Sequence, residues 1–162
     1  MTVLNIGVVG TGMLGSAILK NLDNLPDQGN LNIYCYNRTL EKAIEISKTS
    51  KNVKCCNSLD EIVDNSQYIF LTVNTENALQ VTKEIASLAR KDFVLLSAEA
   101  VTNFKELENC FNEKKSFIAR IITNTNISSR DSVIVYTFNN HLKESHFAKE
   151  TERLLSMIGV TK

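Results

Sequence analysis

The feature that most constrains this fold is a glycine-rich turn close to the amino terminus. Residues 3–9 are mainly β-branched and apolar, and from Met13 to about Asn24 apolar residues recur with the period of a helix. Between the two lies the hexapeptide Gly10, Thr11, Gly12, Met13, Leu14 and Gly15. This order predicts a buried strand, a tight turn and the start of a helix.

Each glycine of the hexapeptide has its own role where such a unit binds a dinucleotide. Gly10 allows a turn too tight for a Cβ, Gly12 lets the backbone approach a pyrophosphate, and Gly15 lets the helix pack closely on its strand. The unpaired N–H groups at the helix start would face the phosphates. A glycine turn without a ligand is the alternative, but the preceding strand and a second strand at βαβ distance favour nucleotide binding.

The composition is typical of one globular domain. Of the 162 residues, 43% are hydrophobic and 22% are charged. The 18 basic and 18 acidic residues cancel, so the chain has no electrostatic footprint for nucleic acid or an anionic membrane. Its apolar runs are shorter than a bilayer span and no charged leader precedes them, so we expect a cytoplasmic protein with neither kind of partner.

The cysteines and histidines predict no metal site. The four cysteines show no C-x-x-C pairing, and His141 and His146 are spaced five apart, on different faces of any helix. Cys35 alternates with apolar residues in a strand-like pattern, so we expect a small core residue in a reducing compartment.

The end of the second predicted strand indicates which dinucleotide would bind. Residues 31–36 form this strand, and Asn37, Arg38 and Thr39 follow it. In a dinucleotide fold an acidic residue here would bind the ribose 2′-hydroxyl, whereas an arginine accommodates a 2′-phosphate. No acid is present, so the sequence favours NADP, with NAD as the alternative cofactor. The competing interpretation makes Arg38 a solvated side chain and Thr39 merely a helix N-cap.

The rest of the chain alternates strand-like with helix-like segments, which predicts an α/β doubly wound, mostly parallel sheet. Further strands are predicted at residues 53–56, 68–73, 93–96, 116–122 and 132–138. Helices are predicted at residues 40–50, after a capping box at Ser58, after a cap at Thr75, and from Asn103 to near Phe111. A last helix is predicted to end with Gly159 as its C′ residue. Residues 26–30 predict a turn. A short loop before the seventh strand predicts that it runs antiparallel at a sheet edge.

Four segments, taken in order, resemble the N-terminal domain of pyrroline-5-carboxylate reductases. They are residues 6–18, Asn37-Arg38-Thr39, Ala98-Glu99-Ala100-Val101-Thr102, and Arg120 followed by Asn124-Thr125. The resemblance covers essentially the whole chain. It implies a Rossmann-like domain that binds NADPH or NADH and serves the reduction of 1-pyrroline-5-carboxylate to proline by hydride transfer, a step of proline biosynthesis.

The same resemblance implies which residues contact the cofactor and which face the substrate. It implies cofactor contacts from Gly10, Thr11, Gly12, Met13, Leu14, Gly15, Asn37, Arg38, Thr39, Val73, Asn74 and Ala98. It implies a substrate side formed by Glu99, Ala100, Asn124 and Thr125. No His, Asp or Lys occupies a position that we can assign as a general acid or base, so the catalytic residues stay unassigned.

The predicted nicotinamide-side loops depart from the family by losing every proline. The family usually has Val-Lys-Pro, Ala-Ala-Gly-Val and Met-Pro-Asn-Thr-Pro where this chain has residues 73–75, 98–101 and 122–126. Because proline restricts φ, its loss predicts loops that are less preorganised. Glu99 also adds a carboxylate. It could repel an anionic substrate, orient a cationic one or point into water, and we favour water.

In complete family members a helical domain follows, forms the dimer and completes the substrate pocket. Residues 1–162 correspond to the nucleotide-binding domain alone, so the chain is either cut from a longer protein or a naturally short relative; a homodimer stays open. Three functions therefore stay open. The first is a hydride-transfer oxidoreductase, which could also act on another substrate. The others are a non-catalytic NADP-binding or regulatory module, and a structural protein whose fold holds no ligand.

Overall fold

A computed structural model describes residues 2–26 and 30–162; most of the predicted turn at 26–30 lies outside them. The described strands are β1 Leu4–Val9, β2 Leu31–Tyr36, β3 Val53–Cys55, β4 Tyr68–Leu71, β5 Val94–Ser97, β6 Phe117–Ile122, β7 Val133–Phe138 and β8 Val160–Thr161. The α-helices are α1 Met13–Asp23, α2 Leu40–Thr49, α3 Leu59–Asn65, α4 Thr75–Leu88, α5 Phe104–Asn109, α6 Asn140–Lys143 and α7 Ala148–Ile158. A 3-10 helix covers Thr125–Ser129.

The described strands form one sheet in the order β3-β2-β1-β4-β5-β6-β7-β8. Strands β1 to β6 pair in parallel, and β7 pairs with β6 antiparallel. The predicted doubly wound sheet is therefore confirmed, with β1 in its interior. The order reverses between β1 and β4, and a crevice opens above the carboxyl ends of the strands at such a point.

The carboxyl-terminal edge differs from the prediction in one respect. Strand β7 does not lie at the edge, because the two-residue strand β8 pairs with it in parallel. Gly159 joins α7 to β8 in an extended conformation, with φ near −174°, so the prediction of a C′ residue there was wrong. A Cβ at Gly159 would come within 2.8 Å of the Ile134 side chain and the Ser132 carbonyl oxygen. The glycine lets the chain return alongside β7.

Apolar side chains cover both faces of the sheet. In β4, Tyr68 and Phe70 pack with α1 and α7 on one face, while Ile69 and Leu71 pack with α3, α4 and α5 on the other. All four β4 residues are buried. The continuous apolar run in the sequence therefore reflects a parallel strand covered on both sides.

Among the predicted helix N-caps, those at Ser58 and Asn103 are confirmed, and the one at Thr75 is displaced by a residue. Asn103 and Glu106 form a reciprocal capping box at α5, with N···O distances of 2.9 and 3.0 Å. The Ser58 hydroxyl accepts from the Glu61 N–H at 3.1 Å at the start of α3. In α4, however, Asn74 is the N-cap and Thr75 is the first helical residue. The Thr75 hydroxyl instead bonds to Glu99.

Over residues 2–26 and 30–162, no helix is both long enough and apolar enough to cross a membrane. Within those two ranges, no group of three or more His, Cys, Asp or Glu side chains could hold a metal ion.

Candidate functional site

The three glycines of the hexapeptide occupy different environments. Gly10 has φ near +99°, in the region that favours glycine, and a Cβ there would lie 2.9 Å from the Thr72 backbone. A Cβ on Gly15 would overlap the Gly10 carbonyl oxygen and lie 2.6 Å from the Thr72 hydroxyl oxygen. Around Gly12, by contrast, no atom lies within 4 Å of the added Cβ. The fold therefore requires Gly10 and Gly15, while Gly12 faces open space.

Gly15→Ala is expected to lower the free energy of unfolding by roughly 1–3 kcal/mol, because α1 must move away from the turn to admit the methyl group. Urea denaturation of purified protein measures this change. Gly12→Ala is the matched control, because its methyl group meets no atom and only a modest N-cap effect of about 1 kcal/mol or less is expected. Equal losses in the two variants would contradict the assigned packing role of Gly15.

Two polar side chains hold the glycine turn in place. The Thr72 hydroxyl, at the end of β4, donates to the carbonyl oxygens of Gly10 at 2.7 Å and Val9 at 3.1 Å. Asn37 accepts from the Thr11 N–H at 3.0 Å and donates to the Thr39 carbonyl at 2.9 Å. Asn37 thus positions the glycine turn relative to the end of β2.

A cleft of about 330 Å³ opens beside the glycine turn, above the carboxyl ends of β1, β2 and β4. It is lined by Val9, Gly10, Gly12, Tyr36, Asn37, Arg38, Lys42, Leu59, Thr72, Val73, Asn74, Asn77, Gln80, Val81 and Glu84. Six of the predicted cofactor residues are among these: Gly10, Gly12, Asn37, Arg38, Val73 and Asn74. The cleft lies where a doubly wound sheet is expected to bind its ligand.

Two cations lie together at the β2 end of this cleft. Arg38 and Lys42 are spaced four apart, Lys42 lies in the first turn of α2, and both side chains are exposed. Neither forms an ion pair within the part of the chain that the structure describes. On the opposite wall the Gln80 amide donates to the Glu84 carboxylate at 3.0 Å. The charge at the β2 end is therefore free to meet an anion.

The other predicted cofactor residues lie around the cleft and do not line it. The Thr11 side chain is buried, and its hydroxyl has no hydrogen-bond partner within the described residues. Met13 is 82% exposed, and Leu14 packs against the core beneath α1. Thr39 is the N-cap of α2 but makes no side-chain capping bond. Ala98 donates its N–H to the Leu71 carbonyl at 3.0 Å, which continues the pairing of β4 with β5.

Glu99 does not point into water, and that interpretation was wrong. The residue is only 7% exposed, and its carboxylate accepts from the N–H groups of Val101 at 3.2 Å and Thr102 at 2.8 Å. Burial alone would raise the pKa of this carboxyl. Hydrogen bonds from the Thr102 side chain and backbone, the Val101 backbone and the Thr75 side chain outweigh burial and lower the pKa. Glu99 is therefore a buried carboxylate with its acceptors already occupied.

The remaining predicted substrate-side residues are separated from the main cleft. The exposed Ala100 accepts from the Arg120 guanidinium at 3.0 Å, and Arg120 shares a small cavity of about 80 Å³ with Glu99. Asn124 caps the 3-10 helix by accepting from the Asn126 N–H at 2.9 Å, and Thr125 is the first residue of that helix. Asn124 and Thr125 are both exposed and line neither cavity.

Sequence reasoning missed several residues that line the main cleft. Lys42 could have been found, because the spacing of four from Arg38 places both on one side of a helix start. Asn77, Gln80 and Glu84 on α4 carried no such signal, since polar residues on a helix normally indicate a solvated face. Only the packing of α4 on the sheet brings them to the cleft.

Comparison with known proteins identifies the family of this chain. Residues 5–100 match the family described as "NADP oxidoreductase coenzyme F420-dependent", and this match covers more than half of the chain. The chain belongs to this family. A curated relative is ComE operon protein 4 of Bacillus subtilis (strain 168), with 26% identity over 149 residues that cover 92% of this chain and 54% of that protein.

Solved structures share the fold at low sequence identity. A pyrroline-5-carboxylate reductase from Coxiella burnetii has a TM-score of 0.84 and 20% identity, and the match covers 99% of this chain and 58% of that one. Pyrroline carboxylate reductase from Plasmodium falciparum, with NADP bound, has a TM-score of 0.80 and 20% identity over 100% and 58% of the two chains. An imine reductase from Aspergillus terreus, in complex with NADPH4, has a TM-score of 0.75 and 13% identity over 100% and 55%.

These comparisons confirm the predicted resemblance to the nucleotide-binding part of pyrroline-5-carboxylate reductases. The chain is an oxidoreductase-family domain with a Rossmann-like fold. It spans little more than half the length of the relatives that it matches, between 54% and 58% of the B. subtilis and C. burnetii proteins.

Proposed function

We propose that residues 1–162 bind NADP(H) and serve hydride transfer in an oxidoreductase. The observation that carries this proposal is the environment of Gly12. The fold explains Gly10 and Gly15 by backbone strain and close packing, but it gives no internal reason for glycine at position 12. A pyrophosphate that approaches the backbone beside the start of α1 is such a reason.

The residues of the main cleft fit the remainder of the dinucleotide. Arg38 and Lys42 would bind the 2′-phosphate, and the apolar side chains of Leu59 and Val81 line the same cleft and would contact the adenine. Val73 and Asn74 follow β4 and line the same cleft, and they would lie toward the nicotinamide. The bound cofactor would supply the hydride, and this domain would hold the cofactor at both ends of the cleft.

Arg38→Ala is expected to remove most of a preference for NADP⁺ over NAD⁺. A charge-assisted contact to a phosphate contributes roughly 1.5–3 kcal/mol, which is about ten- to a hundredfold in affinity. Calorimetric titration of each variant with both cofactors measures the preference. Lys42→Ala should reduce it in the same direction, whereas Lys48→Ala, on the last turn of the same helix and outside the cleft, should not. Equal affinities for the two cofactors in the unchanged protein would contradict this assignment.

The substrate proposed for the complete enzyme is 1-pyrroline-5-carboxylate, reduced to proline. Its support is the order of four sequence segments and the fold shared with pyrroline-5-carboxylate reductases. The shared fold also includes an imine reductase, so another cyclic imine is the alternative substrate. As in complete family members, we propose that a helical dimerisation domain outside residues 1–162 would complete the pocket.

A non-catalytic NADP-binding or regulatory module is the second candidate function. The observation that favours it is the state of Glu99, whose carboxylate is buried and already accepts several hydrogen bonds. Neither cavity described above is lined by a His or Asp side chain. A turnover assay with the complete protein, NADPH and the imine separates this candidate from the enzyme.

A further inference from the structure

Two loops on the predicted nicotinamide side of the cleft meet at one buried carboxylate. The first loop, residues 72–74, follows β4, and the second, residues 98–103, follows β5. The first loop leads to Thr75, where the resembling family carries a proline, whereas the family sequence for residues 98–101 has none. The Glu99 side chain begins in the second loop and is hydrogen-bonded by Thr75, the residue that directly follows the first loop. The structure therefore contains a cross-connection that the loop sequences alone do not reveal.

The carboxylate of Glu99 is bonded on both of its oxygens. Oε1 accepts from the Thr102 N–H at 2.8 Å and Oε2 accepts from the Val101 N–H at 3.2 Å. Hydroxyl groups of Thr102 and Thr75 also contribute hydrogen bonds. Thr75 begins α4, whereas Thr102 immediately precedes the N-cap of α5. One charged group thus ties the starts of two helices that flank the cleft.

A second contact holds the β5 loop from the opposite side. Arg120, in the middle of β6, donates to the Ala100 carbonyl at 3.0 Å, and its guanidinium lies over the Phe104 ring at 6.0 Å from the centroid. The N–H groups of the loop therefore point to Glu99, while one of its carbonyls is bound by Arg120. The loop backbone is held at successive residues and has little freedom to turn.

We propose that Glu99 is a positioning residue that fixes the β4 and β5 loops relative to each other, and so restrains a β4 loop that lacks the proline of the resembling family. For the loop geometry, the proposal depends only on the contacts above. For the effect on the nicotinamide half of the cofactor, it rests on the proposed function. Hydrogen bonds to a charged group are about twice as strong as neutral ones, so one carboxylate can restrain both loops.

Glu99→Gln tests the positioning role with little change in volume. Glutamine keeps one acceptor oxygen but places an NH2 group opposite a backbone donor, so one of the two N–H groups of residues 101 and 102 loses its partner. Amide hydrogen exchange, measured by NMR without cofactor, should become at least about tenfold faster at Val101 or Thr102. Glu106→Gln is the matched control, because glutamine preserves the α5 capping box. Unchanged exchange in Glu99→Gln would overturn the proposal.

A pair of ligands tests the effect on the cofactor. NADP⁺ carries the nicotinamide, whereas adenosine 2′,5′-bisphosphate carries only the adenosine end. Glu99→Gln should lower the affinity for NADP⁺ about tenfold. The affinity for the bisphosphate should stay within about twofold, because Arg38 and Lys42 are unchanged. Equal weakening of both ligands would indicate a general structural loss and overturn the positioning role. If the unchanged protein binds neither ligand, the proposed function fails, and the exchange experiment still decides the loop role.

Thr75→Val provides a second variant if Glu99→Gln does not fold. It removes the hydroxyl that links the β4 loop to Glu99 and keeps the backbone bonds to residues 101 and 102. The affinity for NADP⁺ should fall by about threefold, a smaller factor than in Glu99→Gln, and the affinity for the bisphosphate should again be unchanged. No change in the ratio of the two affinities would contradict a restraint that acts through Thr75.

The pH dependence of stability gives an independent measure. The lowered pKa of Glu99 means that the ionised carboxylate stabilises the folded state above its ordinary value of 4.5, and that this stabilisation disappears as the pH falls through the lower folded pKa. The stability difference between the unchanged protein and Glu99→Gln should therefore be constant near neutrality and shrink on acidification below 4.5. Arg120 is the charged neighbour that shares the cavity. A difference that does not change with pH would contradict the role of the charge.

Discussion

Gly12→Asp is expected to abolish binding of NADP⁺ without lowering the free energy of unfolding. Aspartate is a preferred N-cap residue, and a negative charge at a helix N-terminus is favourable. The position has extended backbone angles, with φ near −71°, and a Cβ there meets no other atom. The same carboxylate would lie where we place the pyrophosphate. Like charges brought together cost several kcal/mol, so a loss of roughly a thousandfold or more in affinity is expected.

Gly12→Ser is the control that separates charge from volume. Serine also caps a helix well, and it adds a Cβ and a hydroxyl without a negative charge. Its affinity for NADP⁺ should fall between those of the unchanged protein and Gly12→Asp. Calorimetry gives the affinities and urea denaturation gives the stabilities. If Gly12→Asp binds NADP⁺ within tenfold of the unchanged protein, the pyrophosphate does not lie at the start of α1.

The part of the fold that is encoded locally could be predicted from the sequence. The change from an apolar run to a helical period, with glycines between, indicates β1, the turn and α1 within a residue of their observed bounds. The strand β8 could not be predicted in this way. Val160 and Thr161 show no alternation, and they form a strand only because Gly159 lets them pair with β7. Such short pairings depend on tertiary contacts.

The candidate site shows the same division between local and distant information. Arg38 and Asn37 follow directly from their position after β2, and they line the cleft as expected of that position. The side chains of α4 that form the opposite wall are distant in sequence and were missed. Glu99 was misinterpreted because a carboxylate in a loop is usually solvated. Its burial depends on N–H groups two and three residues ahead that turn back toward it.

The predicted loss of loop rigidity considered only the backbone freedom that proline removes. Proline acts on the folded and unfolded chain together, and its effect can be inferred from the sequence. A side chain that ties two loops acts only in the folded state, so a sequence pattern does not reveal it. The contacts of Glu99 and Arg120 are of this second kind. Loop rigidity at such a site therefore has to be judged from hydrogen bonds as well as from proline content.

The 162-residue chain is expected to bind NADPH but to reduce 1-pyrroline-5-carboxylate at a negligible rate. Catalysis requires the imine carbon to be held near the nicotinamide and a proton to reach the nitrogen. Arg38 and Lys42, which form no ion pair within the described residues, line the end of the cleft where we place the adenosine. At the other end Val73 and Asn74 offer no acid, and the acceptors of Glu99 are occupied. Losing orientation and proton delivery can cost several powers of ten in rate.

Absorbance of the reduced cofactor measures this rate with the 162-residue chain, NADPH and the imino acid, and with proline and NADP⁺ for the reverse reaction. A parallel titration shows whether the cofactor is bound, so that a lack of turnover cannot be due to an empty site. Turnover near about 1 per second, the low end for ordinary enzymes, would contradict the prediction. In that case a second copy of the chain would have to complete the substrate pocket. The rate per chain would then rise with protein concentration, because the active species would be a dimer.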